Sequence, residues 1–260
     1  MKEPHSLIVG GTRGIGRELV NQFIRDGHKV SVIARRLPER KAARKGAHYW
    51  PVDVRDESAL REVLHRIIKE SGKINHLIFF QRFRGTDEVW RGEIETSLTA
   101  TKAVVEALQD RFAAGEKAIV IVCSINGELI AGNLPIGYHA AKAALQQMAR
   151  YWALALGSRG IRVNSVSPGT VLKEESKQFF LRDRRLSDLY RRITPLGRFG
   201  HAREVAQVIG CLCSEQTSFV TGQDIVVDGG ISLQWQESLA RELVNLGPLG
   251  NRKSAKARRK

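Results

Sequence analysis

The chain has 260 residues, with 42 Lys or Arg against 27 Asp or Glu, a formal net charge of +15, and only three cysteines. This length suits one large α/β domain with a sizeable core, and apolar runs of roughly six residues exclude a membrane-spanning helix. Cys123, Cys211 and Cys213 form no cluster with histidines, so they predict no metal site and a reducing, cytoplasmic setting.

Met1 to His5 leads directly into an apolar run, Leu7-Ile-Val-Gly10, so no secretory leader is expected. The run breaks into Gly10-Gly-Thr12-Arg13-Gly14-Ile15-Gly16, and a helical pattern follows through Leu19, Val20, Phe23 and Ile24. Strand, glycine turn and helix in that order make a phosphate cradle. Glycines let the backbone approach a pyrophosphate, and the helix N-terminus supplies free N–H groups and a positive dipole end.

A second strand, Val30 to Ile33, ends at Ala34-Arg35-Arg36. An acidic residue at this strand end would hold the ribose 2′-hydroxyl of NAD, whereas arginine accommodates the 2′-phosphate of NADP. Arg35 and Arg36, with Arg13 in the glycine turn, therefore predict NADP(H). Trp50 to Val54 reads as the end of a third strand, with a helix from roughly Glu57 to Glu70 behind it. Asp53 is placed either on the adenine or as the cap of that helix. His76 to Phe80 is a fourth strand, and a helix is predicted from about Asp87 to Phe112. The fifth strand spans Ala118 to Cys123 and delivers Ser124. An alanine-rich helix to Leu156 then opens with Tyr138-His-Ala-Ala-Lys142.

Tyr138 and Lys142 at i and i+4 share one helical face. A free phenol has a pKa near ~10, and a neighbouring ammonium favours its ionised form, the tuning a general acid needs at neutral pH. Ser124 is positioned to hold a carbonyl oxygen against that phenol.

A sixth strand, Ile161 to Val166, runs into Ser167-Pro168-Gly169. Between Gly169 and Gly200 an amphipathic helix carries Leu186, Leu189, Tyr190 and Ile193, and the segment from Lys173 to Arg198 has eight Lys or Arg against four Asp or Glu. That segment reads either as a basic lid over the crevice, favouring anionic substrates, or as a solvated helix face. A helix from Ala202 to Cys213 and a last strand from Asp224 towards Gly230 complete the pattern. Regular strand–helix alternation predicts an α/β fold, a doubly wound parallel sheet of about seven strands with helices on both faces. The domain is expected to span 1–233. Residues 234–260 form an extension whose last nine positions hold six basic residues. No aromatic residues interleave with those charges, so they read as a solvated tail rather than a nucleic-acid surface.

Together the glycine turn, Ser124, Tyr138-x-x-x-Lys142, Asn164-x-x-x-Pro168-Gly169 and Asp228-Gly229-Gly230 resemble the short-chain dehydrogenase/reductase family, in family order. Pro195-Leu-Gly-Arg198-Phe-Gly and Phe219-Val-Thr-Gly222 are most similar to its 3-oxoacyl-carrier-protein reductase branch. The resemblance implies that Tyr138 donates a proton to a carbonyl oxygen as a nicotinamide delivers hydride to carbon. Lys142 then serves both the phenol and the nicotinamide ribose. It also implies cofactor contacts at Gly10, Thr12, Gly14, Ile15, Gly16, Val54, Pro168, Gly169 and Val171, and assembly into a homodimer or homotetramer through the long helices.

Two departures stand out. The family's Asn-Asn-Ala-Gly after the fourth strand aligns with Phe79-Phe80-Gln81-Arg82, and the helix Asn of its proton relay aligns with Ser97. The leading expectation is an NADPH-dependent oxidoreductase reducing a ketone, a 3-oxoacyl thioester or other anionic carbonyl compound, carrier- or CoA-linked. The alternative is a relative that binds NADP(H) in a structural or sensing role with weak or no turnover.

Overall fold

A computed structural model of the protein describes residues 3–38 and 43–246. The chain begins with β1 (His5–Val9), α1 (Gly14–Arg25), β2 (Lys29–Ala34), β3 (Ala47–Pro51), α2 (Glu57–Ser71) and β4 (His76–Phe79). Next come α3 (Val89–Glu93), a π-helical stretch (Ile94–Thr99) and α4 (Ala100–Leu108). After these follow β5 (Ala118–Val122), α5 (Ile136–Gly157), β6 (Arg162–Pro168) and β7 (Val171–Leu172). The chain continues through α6 (Glu174–Arg182), α7 (Arg184–Ile193), β8 (Gly200–His201), α8 (Ala202–Leu212), β9 (Asp224–Val227) and α9 (Gln236–Leu243).

Among the described residues, seven parallel strands form one sheet in the order β3-β2-β1-β4-β5-β6-β9. Period-two alternation sends neighbouring side chains to opposite faces. Leu7 and Val9 enter the core shared with α2, α4 and α5, whereas Ile8 enters the core shared with α1 and α8. Both faces being covered, the central strands β4 and β5 carry almost unbroken apolar runs. The strand order reverses between β1 and β4, so a crevice opens at the carboxyl ends of these strands.

Several predicted boundaries move. The helix expected over 87–112 starts at Val89 and ends at Leu108; beyond it Phe112 pairs with Ile74 as an isolated bridge. Its middle is π-helical, so the Ala100 N–H reaches back five residues to the Glu95 carbonyl. The third strand stops at Pro51, and Val52 and Val54 turn into the α2 core instead of extending it. The long helix starts at Ile136, two residues before Tyr138, because Pro135 fixes an extended N-cap ahead of it.

The amino ends of the central strands hold a cluster of imidazoles. Ser6 Oγ lies 2.9 Å from both His28 Nδ1 and His76 Nδ1, and His5 Nε2 lies 2.9 Å from Ser31 Oγ. One hydroxyl can donate to one ring and accept from the other. Phe23 stacks on His28 at 4.5 Å.

The two helices between β7 and β8 rest on an aromatic group, Phe180, Tyr190 and Phe199, with centroids 4.9 to 5.7 Å apart. Helix α9 is tied to α7 by the Arg192 guanidinium, which donates to the Glu242 carbonyl at 2.9 Å. The basic run from Arg252 to Lys260 lies outside the described residues.

Candidate active site

The glycine turn joins β1 to α1. A Cβ at Gly16 would stand 2.6 Å from the Gly10 carbonyl oxygen, so only glycine permits this packing. Gly14 has φ +51°, a conformation that L side chains rarely adopt. Ile15 is buried beneath the turn, Thr12 is partly buried, and Arg13 stands exposed as the extended N-cap residue of α1. The Gly14 N–H donates to Glu175 Oε1 at 3.3 Å, and the same oxygen lies 3.9 Å from the Arg17 guanidinium. This carboxylate sits at the positive end of a helix, a position that favours anions. Lys173 lays its aliphatic stem over Gly14; a Cβ there would lie 3.1 Å from the Lys173 Cδ.

Arg35 and Arg36 are exposed immediately after β2. Asp53 does not cap α2: Asp56 does, accepting from the Ala59 N–H at 3.0 Å. The Asp53 carboxylate instead accepts from Arg55 at 2.8 and 3.2 Å, and that bond, with Arg35 contributing, holds it below the usual carboxylate range.

At the end of β5, Ser124 is buried and its Oγ accepts from the Asn126 N–H at 3.2 Å, capping a short 3₁₀ turn. His139 Nδ1 lies 2.8 Å from the Asn126 carbonyl, fastening that turn to the first turn of α5. Tyr138 is 8% exposed and Lys142 4%. The Lys142 ammonium donates to the Val122 carbonyl at 2.9 Å and lies 5.8 Å from the centre of the Tyr138 ring. One turn further along, Gln146 donates to Ser167 and Asp224, which locks α5 against β6 and β9. The chain therefore brings Ser124, Tyr138 and Lys142 to the carboxyl end of β5. Pro168, Gly169 and Val171 follow at the end of β6. Gly169 must stay small, because a Cβ would lie 2.7 Å from the Asp228 Cβ.

The turn after β4 is where sequence reading was incomplete. Phe80 packs against the glycine turn, 3.3 Å from where a Gly16 Cβ would be. The Arg82 guanidinium lies 4.4 Å over the Tyr138 ring. Arg82 Nε and Gln81 Oε1 are both buried and without a hydrogen-bond partner among the described residues. Ser97, fully buried in the π-helical stretch, donates to Glu93 Oε2 at 3.4 Å. Burial lifts the Glu93 carboxyl above the usual range, and Arg82, Lys142 and the Ser97 hydroxyl only partly oppose this. Glu93, Glu175 and the stacking of Arg82 carried no motif by which they could have been found.

The basic lid is also redistributed. Arg182, Arg184 and Arg185 are exposed, Arg191 pairs with Asp188 at 3.4 Å, and Arg198 pairs with Glu204 at 2.7 Å. Lys173 is the member that lies against the glycine turn. Burial, then Arg84 and Arg82, draw its ammonium below the usual lysine range. Positive charge facing the crevice is thus carried by Lys173 and the 82–84 turn rather than by the outer helices. The thiols of Cys123 and Cys213 are pushed up to about 12 by burial, which makes them poor nucleophiles. No group of three or more metal-ligating side chains occurs among the described residues, and none of their helices is long and apolar enough to cross a membrane.

A family model described as enoyl-(acyl carrier protein) reductase matches residues 9–232. The chain is similar to the A-factor type gamma-butyrolactone 1′-reductase (1S-forming) of Streptomyces virginiae, with 31% identity over 249 residues, 88% of this chain and 95% of that protein. It is also similar to a 3-oxoacyl-[acyl-carrier-protein] reductase of Thermotoga maritima, 32% identical over 243 residues, 86% of this chain and 96% of that one. A short-chain dehydrogenase family protein from Francisella tularensis superposes with a TM-score of 0.78 at 22% identity, covering 90% of this chain and all of the other.

Proposed function

Starting from the fact that this chain belongs to the short-chain dehydrogenase/reductase family, whose members are oxidoreductases using a nicotinamide cofactor, we propose that it reduces a ketone to an alcohol with NADPH. The observation that carries this reading is the Tyr138–Lys142 pair, buried one helical turn apart beside Ser124 at the mouth of the crevice. In that role Tyr138 gives its phenolic proton to the carbonyl oxygen, and Ser124 holds the same oxygen by a hydrogen bond. Lys142, already fixed by the Val122 carbonyl, favours the phenolate left behind. Ser97, with the Glu93 carboxyl beside it, offers a buried polar path for returning the proton.

The crevice suits a dinucleotide. Its Gly14 N–H already donates to an oxyanion, the Glu175 carboxylate, as it would to a phosphate oxygen. When bound, the nicotinamide supplies the hydride. Gly10, Thr12, Gly14, Ile15 and Gly16 would line its pyrophosphate and ribose, with Asp53 and Val54 near the adenine and Pro168, Gly169 and Val171 near the carboxamide. Arg13, Arg35 and Arg36, without an acidic residue at Ala34, favour the 2′-phosphate of NADPH.

The substrate is a carbonyl compound with negative charge, either a 3-oxoacyl thioester on a phosphorylated carrier or CoA arm or another anionic ketone. A homodimer or homotetramer through α5 is part of the same reading. A second reading, cofactor binding without turnover, is favoured by one observation: bulky Phe80 lies against the glycine turn and Arg82 covers the Tyr138 ring, where the family has small residues. The two readings separate on one experiment. NADPH and NADH are titrated by fluorescence, and oxidation of each is then followed against a ketone panel. Turnover with NADPH preferred supports the reductase, and tight binding with no turnover on any ketone supports the second reading. Equal affinity for the two cofactors would remove the NADPH assignment.

A further inference from the structure

We propose that the crevice contains a site for a carboxylate carried within one or two carbons of the reacting carbonyl, with Arg82 as its anchor. The preferred substrates are then free 2-oxo or 3-oxo acids rather than their esters or thioesters. This inference rests on the assignment of Tyr138 as the proton donor.

The geometry is specific. The Arg82 guanidinium lies 4.4 Å over the centre of the Tyr138 ring, so an anion held by Arg82 sits beside whatever the phenol touches. Arg82 Nε is fully buried and lacks an acceptor among the described residues. A buried donor without a partner costs on the order of 1–3 kcal/mol, so its persistence points to a ligand that completes it. Gln81 Oε1, next to it in the chain, is a buried acceptor in the same condition.

The surrounding charge agrees. Arg84 and Lys173 each feel Arg82 as a like charge, and Arg84 feels Arg13 and Arg35 as well. The carboxyls near the group are Glu93 and Glu175. Glu93 is buried at 2% exposure and hydrogen-bonded to Ser97, while Glu175 is engaged by the Gly14 N–H and Arg17. The cations outnumber them. A planar guanidinium is the group best shaped for two parallel bonds to a carboxylate.

A phosphate on the arm of a carrier or of CoA would lie many bonds from the thioester carbonyl, too far to be met by a side chain stacked on Tyr138. A carboxylate near the ketone meets that position. Two anions could complete Arg82, the substrate carboxylate or a phosphate of the cofactor, and the two are separable by experiment.

The protein is saturated with the oxidised nicotinamide cofactor, so that no hydride is transferred. It is then titrated calorimetrically with a 2-oxo acid, a 3-oxo acid and the methyl ester of each. One of the acids should bind at least about ten-fold more tightly than its ester, the size of one charge-assisted contact. Arg82→Met should erase that difference and change the NADPH dissociation constant by less than about three-fold. Arg82→Lys, which keeps the charge but loses the planar fork, should retain part of the preference. Equal binding of acid and ester by the unaltered protein overturns the proposal, and needs no variant to be stable. So does an acid preference that survives Arg82→Met, or a loss of NADPH affinity with that preference intact, which would give Arg82 to the cofactor. Failure to reduce any ketone would instead sink the reductase reading while the binding comparison still decided this one.

Discussion

At the scale of single residues, the candidate chemistry rests on a phenol flanked by two cations. Lys142 and Arg82 lie 5.8 and 4.4 Å from the centre of the Tyr138 ring, on different chain segments. Tyr138→Phe keeps the ring, and with it the surface on which Arg82 stacks, while removing the proton. Turnover of a ketone should therefore fall by at least the ~100-fold typical of a lost general acid. NADPH affinity, followed by fluorescence, should stay within a few-fold. A variant retaining most of the parent's kcat would show that another group protonates the oxygen. The Ser124, Tyr138 and Lys142 set was legible in the sequence because its spacing is local and helical. Arg82 was legible only as bulk where the family has small residues. Its stacking depends on how the turn after β4 folds back, which no periodicity encodes.

At the scale of elements, the sheet could be read from alternating strands and helices, but the joins between elements could not. The π-helical stretch from Ile94 to Thr99 and the early start of α5 at Ile136 follow from packing and from Pro135 rather than from hydrophobic spacing. The join with most bearing on the site is that between α6 and α1. Gly14 and Glu175 are 161 positions apart, and no sequence pattern links them. An anionic side chain at a helix N-terminus is worth about 0.3–1 kcal/mol. In the proposed function a cofactor phosphate displaces it. Glu175→Gln should therefore tighten NADPH binding by roughly two- to five-fold, as converted from that range. An unchanged or weaker affinity in the fluorescence titration would mean that the carboxylate moves aside at no cost.

At the scale of the whole molecule, the apolar surface is unevenly distributed. On α5, Leu154 is 87% exposed and Tyr151 67%, although the opposite side of the same helix is buried in the core. Burying a leucine is worth about 1.5–3 kcal/mol, a contribution that the assembly proposed through α5 would recover. Sedimentation velocity should show a dimer or larger species, and Leu154→Asp should shift it towards monomer without lowering thermal stability sharply. A monomer at tens of micromolar for the unaltered protein would remove the assembly from the reading. Assembly through the long helices is expected only from the family resemblance, since composition gives the net charge of +15 and says nothing of where apolar groups face.

The histidines beneath the sheet count protons. His76 is pulled down to about 3 by burial, with His28 and Arg162 adding like charge, and burial also lowers His5 and His28. A histidine depressed in the folded state stays neutral there while the unfolded chain takes up a proton near its ordinary pKa of ~6.5. The stability it contributes is therefore complete above that value and drains away as the pH falls towards 3. For His76 each pH unit within that window costs about 1.4 kcal/mol, or about 2 kcal/mol between pH 6.5 and 5. Urea midpoints measured from pH 7.5 down to 5 should decline accordingly, and His76→Gln, neutral throughout, should flatten the slope. An unaltered slope in that variant would trace the acid sensitivity to other groups. Otherwise acid acts on this fold from the end of the sheet farthest from its chemistry, by protonating the unfolded chain rather than the active site.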